Sequence, residues 1–161
     1  MIASTEIRAD NPGVVAHPPV LYLGALIALI VLRGIWPAPI LANPSLVLYA
    51  GIALGVMGLA LDLWAVATMH AAGTNIDPGR ESTTVVTAGP FGYSRNPIYV
   101  GLTLLLIGFT LALNSWWGVV VLVPLLVVMH VGVIRREERY LEQKFGGDYL
   151  RYKYDVARYV G

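Results

Sequence analysis

The chain has 161 residues, of which 57% are hydrophobic and only 13% are charged. Soluble domains carry about 25% charged residues, so this composition excludes most soluble classes and predicts an integral membrane protein. The net charge of +1 argues against nucleic acid as the main partner, because such proteins carry a broad excess of Lys and Arg. The absence of cysteine excludes disulfides, thiolate metal sites and a cysteine nucleophile.

Four apolar stretches reach or approach the roughly 17–25 residues that a helix needs to cross a bilayer. They predict an all-α membrane fold with about four transmembrane helices. Only Asn114 and Ser115 separate the last two, which predicts a tight helical hairpin. The first 18 residues lack the basic start and short apolar core of a secretory signal, so we expect none there. The predicted spans cover about residues 19–36, 46–69, 97–113 and 116–134.

The basic residues are distributed unevenly between the two ends of the predicted spans. Ten of the eleven Lys and Arg residues lie in the N-terminal segment, in the connection 69–96 or in the tail after residue 134. Only Arg33 lies towards the other side. By the positive-inside rule, the connection and both termini are predicted to be cytoplasmic, at the inner membrane if the source is bacterial. The connections at the other end are short, so we expect the working parts at the cytoplasmic face.

The sequence S-R-N-P-I-Y-V-G opens the third predicted span. Asn96 is a good N-cap, and Pro97 fits the first helical position because it has no N–H to satisfy. One interpretation is a well-started membrane helix with Arg95 at the lipid headgroups. The other is an anion site at the helix N-terminus, with Tyr99 and Gly101 shaping a pocket one turn deeper.

The sequence R-R-E-E-R follows the fourth predicted span directly. Helical spacing predicts that His130 and Glu137 point the same way, with Glu138 beside them. One interpretation is a solvated helix with local ion pairs, such as Arg135 with Glu138. The other is a carboxylate site for a cation, close to the start of the third span. In either case we expect both carboxylates at a wet interface, where replacement changes thermal stability little.

Other polar and small residues give weaker indications. The three histidines are scattered without a His-x-x-x-His pair, so no metal site is predicted. Asp62 lies inside a span and is by default a functional hypothesis, although it could also pair with Arg33 or with a polar backbone group. Gly51 and Gly55 form the small-residue pattern of close helix packing, either within the protein or in a homo-oligomer.

Together these segments resemble a known enzyme family. V-V-T-A-G-P-F at residues 85–91, followed by R-N-P-I-Y-V-G, resembles the "LVTSGPF…RHPxYxG" signature of the isoprenylcysteine carboxyl methyltransferase family. The tail, from E-E-R-Y-L through F-G-G-D-Y to Arg158, resembles that family's "EExxLxxxFGxxYxxY…VxR" ending. The resemblance covers about residues 70–161. The related phospholipid N-methyltransferases share the shorter elements.

The resemblance implies methyl transfer from S-adenosylmethionine (SAM) to a lipophilic acceptor taken from the bilayer, most favourably O-methylation of an isoprenylcysteine-type carboxylate. It implies one domain over residues 1–161, with N-terminal spans in 1–69 and a catalytic core in 70–161. Arg95, and less directly Arg135 or Arg136, would meet anionic groups. The implied catalytic residues are Arg95, Asn96, Tyr99, Glu137 and Glu138, and the implied cofactor contacts are Thr83, Thr84, Val85, Val86, Phe91, Asn96, Pro97, Ile98, Tyr99, Glu137 and Glu138.

Asn96 departs from the family signature, which most often has His before the proline. Asn cannot act as a general base near neutral pH, whereas a carboxylate acceptor is already nucleophilic and needs none. Three alternatives stay open: a phospholipid N-methyltransferase, an NADPH-dependent membrane reductase and a non-catalytic scaffold. For the tyrosine-rich residues 149–160 we expect a helix, either at the headgroups or as a lid.

Overall fold

The computed structural model describes residues 12–77 and 80–160. Within these residues the regular structure is entirely helical, as predicted, while the polar N-terminus up to residue 11 lies outside them. Two single helices and one composite helix are long and apolar enough to cross a membrane, and a fourth is shorter. The helices are α1 (Pro18–Ile35), α2 (Pro44–Ala71), α3 (Pro97–Ala112), α4 (Trp117–Val128), α5 (Arg135–Phe145) and α6 (Gly147–Asp155).

The starts of the first three helices follow from proline and from capping. Pro18, Pro44 and Pro97 each occupy the first turn, where the missing N–H would have had no helical partner. Asn43 caps α2 by accepting a hydrogen bond from the Ser45 N–H at 3.0 Å. α2 therefore begins before its predicted start and continues two residues beyond its predicted end.

α2 and α3 approach closely because glycines remove side chains from their interface. A Cβ atom on Gly51 would lie 2.5 Å from the Ala112 amide nitrogen, and one on Gly58 would lie 2.6 Å from the Gly101 carbonyl oxygen. Of the two alternatives for the small-residue pattern, Gly51 thus serves packing within the chain. Gly51 therefore requires no second copy, whereas a Cβ atom on Gly55 would meet nothing within 4 Å, so the homo-oligomer stays a prediction.

The predicted hairpin between α3 and α4 is present, and Asn114 forms its corner. Its φ of 48° lies in the left-handed region that Asn tolerates better than most residues. The Asn114 Oδ1 accepts hydrogen bonds from the N–H groups of Ile40 and Leu41 at 3.0 Å each, and its Nδ2 donates to the Leu41 carbonyl at 2.8 Å. One side chain thus joins the hairpin to the α1–α2 connection.

Arg33 also contacts this corner rather than Asp62. Its Nε donates to the Leu113 carbonyl at 2.7 Å, and so satisfies one of the orphan acceptors at the C-terminus of α3. The alternative in which Asp62 pairs with Arg33 is therefore wrong. Arg33 instead contacts the Leu113 carbonyl, which lies at the same end of the bundle.

The fourth predicted span is part of one 29-residue helix, Trp117–Phe145, with an irregular centre. A π-helical segment, Met129–Ile134, joins α4 to α5. π turns add a residue per turn and rotate the following side chains relative to a regular helix. His130 places its Nδ1 2.6 Å from the Tyr159 hydroxyl, while Glu137 accepts from Tyr99. The two residues that the helical spacing placed on one face therefore contact different partners.

The polar segments meet at one end of the bundle. The Val15 N–H donates to the Gly132 carbonyl at 3.2 Å, so the N-terminal segment lies beside the π-helical segment. The Ser82 N–H donates to the Tyr140 hydroxyl at 3.3 Å, which brings the connection after α2 against α5. The N-terminal segment, the connection and the tail therefore share one end, where they can build a common site.

Candidate functional site

A cavity of about 550 Å³ lies at this end, between the connection, the start of α3, α5 and α6. Its volume falls in the range of about 300–1,000 Å³ typical of small-molecule sites. Thr83 is not on its wall; the Thr83 hydroxyl instead donates to the Gly73 carbonyl at 3.1 Å. The implied site residues on the wall are Thr84, Val85, Val86, Phe91, Arg95, Asn96, Pro97, Ile98, Tyr99, Glu137 and Glu138.

Arg95 enters this wall from the turn before α3. Its side chain is only 8% exposed, and its Nη1 lies 3.1 Å from the Glu138 Oε1. Within the described residues, neither the Nε nor the Nη1 of Arg95 makes a hydrogen bond. The Nη1 is therefore ion-paired with Glu138 without a hydrogen bond, whereas the Nε has no partner of either kind among the described residues. Buried donors nearly always have a partner, so the Nε is the group left for an anionic ligand in the cavity.

Glu138 is buried rather than at a wet interface, with a side chain only 6% exposed. Both of its oxygens accept from Arg158, from Nε at 2.9 Å and from Nη2 at 2.8 Å. The alternative of a local pair between Arg135 and Glu138 is therefore wrong, and so is the expected wet interface. We therefore expect removal of this buried charge to lower stability. Arg158 lies on the tail, 20 residues beyond Glu138. The helical spacing within R-R-E-E-R therefore could not indicate this pair.

Glu137 has a different environment from its neighbour. The Tyr99 hydroxyl donates to the Glu137 Oε1 at 2.6 Å, which joins the two halves of the resemblance across the cavity. Among the ion pairs of the described residues, none involves Glu137. Of the two adjacent carboxylates, Glu137 is thus the one held by a neutral donor and left with a second oxygen for a ligand.

Asn96 stands at the N-cap position of α3, as predicted, but its side chain does not cap the helix. Its Nδ2 donates instead to the Arg158 carbonyl at 2.9 Å. The expected loss of a cap on substitution is therefore replaced by the loss of a link between α3 and the tail.

α6 forms a wall of the cavity through two tyrosines of the segment for which the sequence left open a place at the headgroups or a role as a lid. Tyr149 and Tyr152 are 2% and 7% exposed, and the Tyr152 hydroxyl donates to the Phe91 carbonyl at 2.8 Å. Burial raises the pKa of Tyr149 to about 12 and also raises the pKa of Tyr152, so both hydroxyls remain donors at neutral pH. The F-G-x-x-Y-x-x-Y spacing carried this signal, since it places both rings on one face of a short helix.

Several other predicted residues lie away from the cavity wall. Arg135 and Arg136 are exposed, and the Arg136 Nη1 donates to the Gly13 carbonyl at 2.7 Å. Asp62 packs against Gly101 on α3, where a Cβ atom on Gly101 would lie 2.0 Å from the Asp62 Oδ1. Gly101 therefore makes room for Asp62 rather than for a ligand. In the described part of the chain, no three His, Asp or Glu side chains are grouped closely enough to hold a metal ion.

The model of the phospholipid methyltransferase family matches residues 46–148. The chain belongs to this family. The match includes α2, the connection, the hairpin and both carboxylates, so it contains most of the cavity wall. It confirms the resemblance to membrane methyltransferases, and it identifies the chain with a family whose name denotes lipid substrates.

Two curated relatives extend the comparison. An uncharacterized protein of Haemophilus influenzae is 41% identical over 66 residues, which are 39% of this chain and the whole of that protein. The cobalt-zinc-cadmium resistance protein CzcN of Cupriavidus metallidurans is 30% identical over 112 residues, which are 70% of this chain and 45% of that protein. The chain thus matches less than half of the CzcN length. No solved structure matches the chain.

Proposed function

We propose that the chain is a SAM-dependent methyltransferase that methylates a lipophilic acceptor at the membrane surface, with the isoprenylcysteine-type carboxylate as the first candidate acceptor. The observation that carries the proposal is that residues of both motif regions converge on one cavity. The cavity lies at the polar end of apolar helices, where a soluble cofactor and a bilayer-borne acceptor can meet. SAM supplies an activated methyl group on a positively charged sulfur.

The residues of the cavity fit the charged groups of SAM. Arg95 has a buried Nε without a partner among the described residues, which suits a carboxylate. Glu137 has one oxygen held by Tyr99 and can bind an ammonium or a hydroxyl group with the other. Apolar side chains such as Val86 and Leu102 on the wall exclude water, and positioning in such a site is the main requirement of a displacement reaction.

A phospholipid amine is the second candidate acceptor, and the family match favours it. An amine must lose a proton as it is methylated, whereas a carboxylate need not. Of the two adjacent carboxylates, Glu137 is the one that could receive this proton, because Glu138 is bound by two arginines. The family match begins within α2, at residue 46, so the proposed catalytic core begins with α2. This extends the core of residues 70–161 that the sequence had indicated.

Binding and transfer assays on the purified protein test the proposal. SAM and NADPH are titrated in detergent, and methyl transfer is followed from labelled SAM to a farnesylated N-acetylcysteine or to phosphatidylethanolamine. We expect SAM to bind and NADPH not to bind. Loss of a charged hydrogen bond in Glu137→Gln should weaken SAM binding by about 1.5–3 kcal/mol, with little change in melting temperature. A protein that binds NADPH, or neither ligand, would contradict the proposal.

A further inference from the structure

The tail after α6 contacts the start of α3 through its main chain. The Ala157 carbonyl accepts from the Arg95 N–H at 2.9 Å, and the next carbonyl, that of Arg158, accepts from the Asn96 Nδ2 at 2.9 Å. Two consecutive residues of the tail thus hold two consecutive residues of the cavity wall. Tyr152, one turn earlier, holds the Phe91 carbonyl of the same wall.

The Arg158 side chain extends this contact to α5. Its guanidinium occupies both oxygens of Glu138 at 2.9 and 2.8 Å, in the bidentate geometry that gives the strongest arginine–carboxylate pairs. Arg95 lies on the other side, with its Nη1 3.1 Å from the Glu138 Oε1 but without a hydrogen bond there. Glu138 is therefore shared unequally, and Arg158 holds it.

This unequal sharing determines what Arg95 can do. Without Arg158, the buried Glu138 carboxylate would have Arg95 as its charged partner. A buried carboxylate without hydrogen bonds is strongly unfavourable, so Glu138 would then accept hydrogen bonds from the Arg95 donors. Arg95 could then no longer offer those donors to a ligand. Because Arg158 satisfies Glu138, the Arg95 Nε, which has no partner among the described residues, remains available at the cavity wall.

We propose that Arg158 is a positioning residue that keeps Arg95 available to bind a carboxylate group in the cavity. The inference rests on the proposed function and adds to it the residue that sets its anion site. The carboxylate can belong to the methionine part of SAM or to the acceptor. Arg158 itself is a third exposed and lies behind Glu138, so it acts through other residues.

The test compares Arg158→Gln, Arg158→Lys and the double variant Arg158→Gln/Glu138→Gln with the parent. Arg151→Gln is the matched control, because Arg151 is an exposed arginine of α6. SAM and decarboxylated SAM are titrated into each protein, and KM is measured for the carboxylate acceptor. Arg158→Lys gives a milder change if Arg158→Gln fails to fold, since Lys keeps the charge but cannot bind bidentately.

If the carboxylate belongs to SAM, Arg158→Gln should weaken SAM binding about ten- to a hundred-fold and leave binding of decarboxylated SAM unchanged. If it belongs to the acceptor, SAM binding should persist and the acceptor KM should rise by a similar factor. In either case the double variant should recover most of the loss, because it removes the competing carboxylate together with its partner. Arg158→Lys should lie between the parent and Arg158→Gln, and Arg151→Gln should match the parent.

Two results would overturn the inference alone: Arg158→Gln with parental SAM binding and acceptor KM, or a double variant as impaired as Arg158→Gln. A parent that binds no SAM would overturn the proposed function and this inference with it. A merely structural role for Arg158 would lower the melting temperature and weaken the binding of SAM and of decarboxylated SAM equally.

Discussion

Gly101 illustrates how one residue can be identified correctly from sequence but assigned the wrong role. The motif suggested that its missing side chain shapes a ligand pocket. The space is taken instead by Asp62, whose Oδ1 would lie 2.0 Å from a Cβ atom on Gly101. A sequence cannot reveal this, because the contact depends on the register between two helices almost 40 residues apart.

Gly101→Ala should therefore destabilise the protein by about 1–3 kcal/mol through overpacking, measured as thermal unfolding in detergent. The same substitution should cost less in an Asp62→Ala background. Relief should be partial, because the Gly58 carbonyl would still lie 2.9 Å from the new methyl group. Equal costs in both backgrounds would contradict the assigned contact.

Gly55→Ala is the matched control for this experiment. A Cβ atom at Gly55 meets nothing within 4 Å, and Ala is favoured over Gly in helices by about 1 kcal/mol. We expect an unchanged or higher melting temperature for this variant. A large loss at Gly55 would mean that the α2–α3 interface is closer than described.

Substitution of Asn96 can distinguish two roles that the sequence could not: a cap of α3 and a link between α3 and the tail. If Asn96 capped α3, Asn96→Asp would be harmless or favourable, because Asp is an equally good cap and its charge suits the helix N-terminus. In the structure its Nδ2 donates to the Arg158 carbonyl, and an ionised Asp cannot donate. We expect Asn96→Asp to cost about 1–3 kcal/mol, the penalty of an unmade buried hydrogen bond.

Limited proteolysis with trypsin measures the same effect at the tail. Asn96→Asp should expose Arg158 and accelerate cleavage there, whereas Asn96→His, whose ring N–H can donate to the same carbonyl, should resemble the parent. A parental cleavage rate for Asn96→Asp would restore the capping role.

At the scale of elements, the lengths of the apolar stretches predicted the helices well. They did not predict the local irregularities within those helices. α1 and α3 begin and end within one residue of their predicted bounds, because proline starts and apolar runs are strong local signals. The π-helical segment Met129–Ile134 had no such signal. Tertiary contacts accompany it, such as the bond from the Val15 N–H to the Gly132 carbonyl, and these join residues far apart in sequence.

The corner of the hairpin gives a prediction for one element. Asn114 combines a left-handed backbone with three side-chain hydrogen bonds to the α1–α2 connection. Asn114→Gly keeps the backbone freedom and loses the bonds, each worth about 0.5–1.5 kcal/mol. Asn114→Ala adds left-handed strain of about 1–2 kcal/mol.

The expected order of melting temperatures is therefore Asn, then Asp, then Gly, then Ala at position 114. Asp ranks second because it keeps the acceptor for the two N–H groups and loses only the donor to Leu41. A Gly variant as stable as the parent would show that the side-chain bonds contribute nothing to the corner.

At the scale of the whole molecule, α1 lies outside the matched family region of residues 46–148 but still takes part in the site. Pro18 and Pro19 at its start line the cavity. The Tyr22 hydroxyl lies 2.7 Å from the Thr103 Oγ1 and is buried with Leu29 in the core between α1, α3 and α4. The first span therefore supports the cavity through packing that no motif in it reveals.

The distribution of basic residues leads to a prediction about the orientation of the whole molecule. The described parts of the N-terminal segment, the connection and the tail lie at one end, and they hold nine of the eleven Lys and Arg residues. The positive-inside rule puts this end in the cytoplasm. The natural chain has no cysteine, so a single introduced cysteine reports its own side without background.

Arg80→Cys in the connection and Tyr154→Cys on α6 should react with a membrane-impermeant maleimide only in inside-out vesicles, since both positions are exposed at the polar end. Ala42→Cys, exposed between α1 and α2, should react only in right-side-out vesicles. Labelling of all three after detergent solubilisation controls for accessibility. If Arg80→Cys and Tyr154→Cys reacted from opposite sides, the connection and the tail could not share one cavity, and the proposed site would fail with the topology.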